Sequence, residues 1–248
     1  MQRWLLKIRQ SNNRAIAKYE RKGTAIFLEA LRRQAENFDA QIMTNAYIEF
    51  YQYVFTDSAT RQYYQIRELE RQKDFILNDF FLATWRNWIK TYVLENLVTV
   101  IAGVNERTLE AIRTITAQGI ADGLNPFQLA KLLRKEVGSK ARALGIAMTE
   151  GTTAANMGTK RSAEDWQIQT GEILYKCWIH SGNPRDPRLE HIRLQNKPIP
   201  KEQDFIVNGS PMEFPGDQKG PLSERVRCLC THVYLSERLA RRRFPDSF

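Results

Sequence analysis

Proline is almost confined to the last third of this chain. Eight of the nine prolines follow Thr170, and only Pro126 precedes it. Proline has no amide hydrogen to donate and breaks helix interiors. Long helices are therefore open to the first 170 residues and closed to most of the remainder. The chain is expected to be α+β, mainly helical over its first two thirds, with a small β-containing unit after them.

The helical part has its own punctuation. Residues 2–40 hold one glycine, Gly23, and many good helix formers. Tyr47, Phe50, Tyr51 and Val54 recur at i, i+3, i+4, i+7, one face of a helix over 41–55. Thr56-Asp57-Ser58 is expected to end that helix and cap another, from about Ala59 to Lys73. Phe81, Trp85, Trp88 and Tyr92 form an aromatic stripe, suited to a core or to a docking surface. A further helix is expected from about Asn105 to Asp122, stopped by Gly123. Asn125-Pro126-Phe127-Gln128 then supplies an N-cap, a first-turn proline and a capping-box glutamine. That helix carries Leu129, Leu132, Leu133 and Val137 and ends at Gly138. Ser139 caps a last, long helix running to roughly Gln169.

Beyond Thr170 the β-prone runs are Ile173–Ile179, Phe205–Val207, Met212–Phe214 and Val226–Leu235. Asn208-Gly209 between two of them is a hairpin signal. This unit is expected to pack on the helix that follows Ser139. A boundary is placed near residue 104. It divides a helical region, 1–104, from a region 105–248 that ends in a basic tail.

With 248 residues, 42% of them apolar, the chain can bury a sizeable core. Its best apolar run, Leu97 to Val104, is far short of the roughly 20 residues of a membrane span. The opening M-Q-R-W-L-L-K-I-R lacks a signal-peptide pattern, so a cytoplasmic start and no membrane are expected. The net charge of +9 is uneven: residues 1–33 carry +7 and residues 219–248 carry +4. Basic ends suit nucleic acid or an acidic protein surface, or are simply solvated helix faces. In a helix Arg238, Arg241 and Arg242 share a face; with Arg243 they are the candidate contacts to DNA phosphates or a partner. Three cysteines, Cys177, Cys228 and Cys230, fit a reducing compartment better than a disulfide framework. Walker A, dinucleotide-fingerprint and H-E-x-x-H motifs are absent from the sequence.

Three polar constellations remain. Thr149, Thr153 and Asn156 line one helix face, with Glu150 beside them, and can pin a loop or hold a substrate. Asp186, Arg188 and His191 lie close in a proline-rich loop, either as an acid/base group or as a charge-assisted network that orders the loop. Cys228, Cys230 and His232 are zinc-ligand types. On a straight strand rising about 3.4 Å per residue, Cys228 and His232 would lie roughly 13 Å apart. One ion could then be shared only at a bend, by Cys228 and Cys230 with His191 and either Cys177 or Asp217. A lone C-x-C is a weak signal, and free cysteine is commonly a small buried hydrophobe.

Taken in order, these motifs resemble the phage Mu F-like head-morphogenesis proteins, from about Asn105 to Leu235. The family pattern is a T-E helix with a later Asn, a Trp-bearing strand, a D-x-R-x-x-H loop, a P-x-D segment and a closing C-x-C. Here it falls on Thr149-Glu150, Asn156, Trp178, Asp186-Arg188-His191, Pro215-Gly216-Asp217 and Cys228-Cys230. The chain departs from it at Leu194-Gln195-Asn196-Lys197, where Asp-Gly-Gln is usual, and at Leu229 and Arg227, where Arg and Asn are. Asn196 can keep the turn. The resemblance implies a minor capsid protein of a tailed-phage head. Its partners would be the portal protein, with packaged DNA and the major capsid or scaffold protein as further contacts. It would sit in the virion head near the portal, after a period in the host cytoplasm during assembly. The residues of the pattern would be structural, with no catalytic role and no required cofactor. Residues 1–104 would supply a portal- or DNA-contacting arm. Two other readings stand beside this: a small metal-dependent or hydrolytic enzyme built on His191, Cys228 and Cys230, and a basic nucleic-acid-binding module.

Overall fold

The computed structural model describes residues 3–70, 79–182 and 188–248. Its α+β architecture is a helical body carrying a small antiparallel unit. Six helices come first: α1 (Arg3–Glu36), α2 (Ala40–Glu70), α3 (Asp79–Asn96), α4 (Val98–Ala121), α5 (Pro126–Glu136) and α6 (Lys140–Thr170). The described elements that follow are β1 (Leu174–Ile179), α7 (Leu189–Arg193), β2 (Pro198–Pro200), β3 (Phe205–Val207), β4 (Ser210–Met212), α8 (Leu222–Arg225), β5 (Thr231–Ser236) and α9 (Glu237–Arg243).

The long helix α6 is the axis of the molecule, and α1 and α2 both lie along it. Its sequence explains why they can come so close. Gly151, Ala154, Ala155 and Gly158 are small residues at helical spacing, all buried. A Cβ on Gly158 would lie 2.5 Å from the Phe55 carbonyl oxygen and 3.0 Å from the Ala59 amide nitrogen, so only glycine lets the two backbones meet there. Into the space left by these small residues go Tyr47, Phe50, Tyr51, Val54 and Phe55 of α2 and Tyr19 and Phe27 of α1. Phe27 meets both Tyr47 and Phe50 edge-on, at 5.1 and 5.2 Å between ring centres. Trp85 closes the cluster from α3, its indole N–H donating to Asp165 of α6 at 2.6 Å.

Two expectations are corrected here. Thr56-Asp57-Ser58 does not break a helix: α2 runs through it. Asp57 and Ser58 find tertiary partners instead of capping a new turn. Asp57 accepts from Tyr19 Oη at 2.5 Å and from Lys18 Nζ at 3.0 Å, and Ser58 donates to the Ala155 carbonyl at 2.6 Å. The boundary near residue 104 falls inside α4. One apolar cluster takes residues from α1, α2, α3, α4 and α6. Polar bridges cross the same point: Gln34 to Asn105 at 2.7 Å, and Arg142 to the Val104 carbonyl at 3.2 Å. Residues 3–70 are therefore part of the body, packed on α6. The aromatic stripe divides in two. Trp85 is core, whereas Trp88 is 37% exposed and stacks on Tyr92.

The caps of the later helices follow the sequence. Asn125 and Gln128 form the reciprocal capping box of α5, Ser139 accepts from the Arg142 amide at 3.4 Å, and Gly171 ends α6 in the left-handed region. The Lys73 end of the expected second helix lies outside the described residues. The sheet has the order β2-β1-β5, antiparallel throughout, with Cys177 opposite Val233 and Trp178 opposite His232. A β3–β4 hairpin turns at Asn208-Gly209, both with positive φ, as a two-residue hairpin turn requires. β2 escapes sequence reading because two of its three residues are prolines. β5 begins at Thr231, later than expected, because Arg227 at φ 55° bends the chain ahead of it.

Candidate functional site

Alternation along β1 splits the signature between two faces. Cys177 and Ile179 enter a cluster with Leu5, Val233 and Leu235. Trp178 enters the opposite one, with Phe205, Val207, Met212, Cys228 and Cys230. Cys177 is thereby separated from the other two cysteines and is not a ligand candidate with them. Burial pushes its thiol up to about 12.

The α6 face that looks toward this unit is polar, and every signature residue on it has a partner. Asn156 is the hub. Its amide nitrogen donates to the Pro215 carbonyl at 2.8 Å and the Cys230 carbonyl at 3.1 Å. Its oxygen therefore faces His232 Nδ1, 2.9 Å away, as acceptor, and the His232 ring carries its proton on Nδ1. Burial holds His232 well below the ordinary imidazole range, so it stays neutral. Thr153 donates to the Gly216 carbonyl at 2.9 Å. Thr149 donates to the Gly145 carbonyl and accepts the Arg227 amide, both at 3.1 Å, at the bend before the cysteines. Gly216 has φ 85°, and a Cβ on it would reach within 2.9 Å of Thr153 Oγ1. Asp217 shapes the same loop by accepting the Glu213 and Lys219 amides at 2.8 and 3.0 Å. It is a turn-former and is not among the residues that converge with the cysteines. Glu150 belongs to a different contact: it accepts from Tyr51 Oη at 2.5 Å and joins α6 to α2.

Behind Trp178 lies the third constellation. His191 on α7 is buried, edge-on to Trp178 at 5.1 Å. Its Nε2 is 3.0 Å from Glu224 Oε2, so Nε2 carries a proton and donates to the carboxylate. Nδ1 then faces both Cys228 Sγ, at 3.6 Å, and Cys230 Sγ, at 3.5 Å. Their mutual hydrogen bond is the largest influence on both thiols, pushing Cys228 well up and lowering Cys230. These three residues could hold a metal ion. They adjoin a cavity of about 10 Å³ lined also by His180, Ser181, Arg188, Arg227 and Leu229, room for one water-sized group. Arg188 donates to the Val226 carbonyl at 2.6 Å, tying the start of α7 to the bend. Asp186 lies outside the described residues.

Two participants were not legible as such. Glu224 sits in an unremarkable S-E-R run; its spacing of four residues from Cys228 is the only hint. Lys176 is buried in β1, donates to the Glu213 carbonyl at 2.8 Å, and is lowered by burial to about 8. The basic ends of the chain do meet. Lys7, Arg238, Arg242 and Arg243 line a cavity of about 480 Å³ together with Trp4, over which Arg243 lies at 5.2 Å. Arg241 instead pairs with Glu237 at 2.8 Å and covers Phe248. No described helix is long and apolar enough to cross a membrane.

No family model matches the chain, and no solved structure matches it. It is 30% identical over 149 residues to the uncharacterized protein YqbB of Bacillus subtilis (strain 168). The match takes in 58% of this chain and 46% of that relative, so the chain spans about half of the relative's length.

Proposed function

We propose that this protein is a minor structural protein of a tailed-phage head, of the Mu F-like kind, bound at the portal vertex and acting in head assembly and DNA packaging or delivery. The observation that carries the reading is the use made of the described signature residues. Thr149, Asn156, Trp178, Arg188, His191, Asp217, Cys228 and Cys230 are spent on holding a loop-rich unit to α6 or on its internal order. The cavity beside the thiols, about 10 Å³, admits nothing larger than a water molecule, which favours a scaffold over a hydrolytic centre. The cavity lined by Lys7, Arg238, Arg242 and Arg243 supports an acidic contact, either packaged DNA or an acidic face of the portal.

Mass spectrometry of purified virions, with pull-down of the portal protein by the full chain, tests this. The chain should be present in heads at low copy number and should retain the portal. Its absence from virions that carry the portal would overturn the proposal.

A further inference from the structure

The geometry points to a zinc ion held by Cys228, Cys230 and His191. Two sulfurs approach one imidazole nitrogen, at 3.6 and 3.5 Å. A single lone pair accepts one S–H, so without a metal the second sulfur is held beside the imidazole only through its hydrogen bond to the first thiol. Tetrahedral zinc explains both: bonds of about 2.3 Å to sulfur and about 2.0–2.1 Å to imidazole nitrogen put S and N about 3.6 Å apart. The three ligand atoms lie within 4.8 Å of one another, and all three residues are buried.

Glu224 supplies what a metal-bound histidine needs on its far side. By accepting the Nε2 proton at 3.0 Å it fixes the ring and turns the Nδ1 lone pair toward the sulfurs. Two thiolates and an imidazole select a borderline-soft cation such as Zn²⁺ over Mg²⁺ or Ca²⁺. The adjoining cavity of about 10 Å³ leaves room for one solvent molecule as a fourth ligand. That space is too small for a substrate, so the ion acts as a staple. It joins α7, the bend at Arg227 and the approach to β5, in a unit whose apolar clusters are small. This inference does not depend on the virion assignment.

The full chain, purified without chelator from zinc-containing medium, should carry about one zinc per chain by elemental analysis. The zinc should be lost in Cys228→Ser and in Cys230→Ser and kept in Cys177→Ser. A second measurement covers serine variants that fail to fold. Metal-stripped wild-type chain titrated with Co²⁺ should develop a thiolate-to-cobalt charge-transfer band and intense tetrahedral d–d bands, both bleached by added Zn²⁺. Folded chain that holds no stoichiometric zinc and gives no such band with Co²⁺ would overturn the inference. So would a Cys228–Cys230 disulfide found in the protein as isolated.

Discussion

The two sides of α6 are held by different physics. Toward α1 and α2 the helix presents glycine and alanine, and aromatic rings fill the space they leave. Toward the C-terminal unit it presents Thr149, Thr153 and Asn156, and the bonds run to backbone groups of the bend and the Pro215-Gly216 loop. The first contact draws most of its stability from buried apolar area, with the Tyr51–Glu150 and Ser58–Ala155 bonds as polar links across it. The second contributes less net energy but fixes one arrangement, because each buried polar atom must be matched. A small loop-rich unit gains a defined position from such matching that apolar contact alone does not specify.

The largest effect should come from attacking the apolar side. Gly158→Val forces a side chain against the α2 backbone at Phe55 and Ala59, which cannot give way as a flexible side chain could. We expect a loss of about 3 kcal/mol, read as a lower denaturant midpoint for the whole chain. On the polar side, Asn156→Ala leaves the Pro215 and Cys230 carbonyls and the His232 Nδ1–H without their partner. A loss of about 2 kcal/mol is expected. It should appear first in the C-terminal unit, as early loss of Trp178 fluorescence relative to helical circular dichroism.

Acid separates the two contacts by sign. Burial raises the Glu150 carboxyl above its ordinary 4.5, against the opposing bond from Tyr51. Its contribution is therefore full below pH 4.5 and declines as pH rises above that value. Burial also raises Glu213, but the bonds from Lys160 and Lys219 outweigh it and hold the group at about 2. Its contribution is full above pH 4.5 and is lost as pH falls toward 2. Glu150→Gln should thus show a stability difference from wild type that shifts steadily as pH rises from 4.5. Glu213→Gln should show its deficit at neutral pH and lose it on acidification. Urea melts of the two variants at several pH values check both signs. If both differences move in the same direction with pH, the contrast between the two contacts is wrong.

How far the sequence went depends on the range of the interaction that decides each feature. α5, the start of α6 and the Asn208-Gly209 hairpin were legible because their signals are local: a capping box, a serine cap, a two-residue turn. The continuity of α2 through Thr56-Asp57-Ser58 was not, since the partners of Asp57 and Ser58 lie on α1 and α6. The meeting of His191 with Cys228 and Cys230 was legible as residue types at a bend. Its proposed completion by Cys177 or Asp217 was not realised. Strand alternation sends Cys177 to the other face, and Asp217 is engaged by backbone amides. Glu224 was illegible because one carboxylate in a short polar run carries no pattern. Asn196 at φ 64° does keep the turn expected of it.

The smallest predicted effect sharpens the account of the bend. Arg227 holds φ 55°, a conformation that costs a non-glycine residue about 1–2 kcal/mol and that asparagine adopts more easily. Arg227→Asn should raise stability by up to about 1 kcal/mol. It should also leave the Thr149 bond to the residue 227 amide intact, seen as unchanged exchange protection of that amide.

Native-state hydrogen exchange on Asn156→Ala reaches the clamp most directly. Protection should fall in β1, in β5 and across Glu213–Lys219, while the amides of α1 and α2 keep wild-type rates. Unchanged protection in β1 and β5, or an equal fall in α1 and α2, would contradict the claim that this side chain is what fastens the C-terminal unit to its helix.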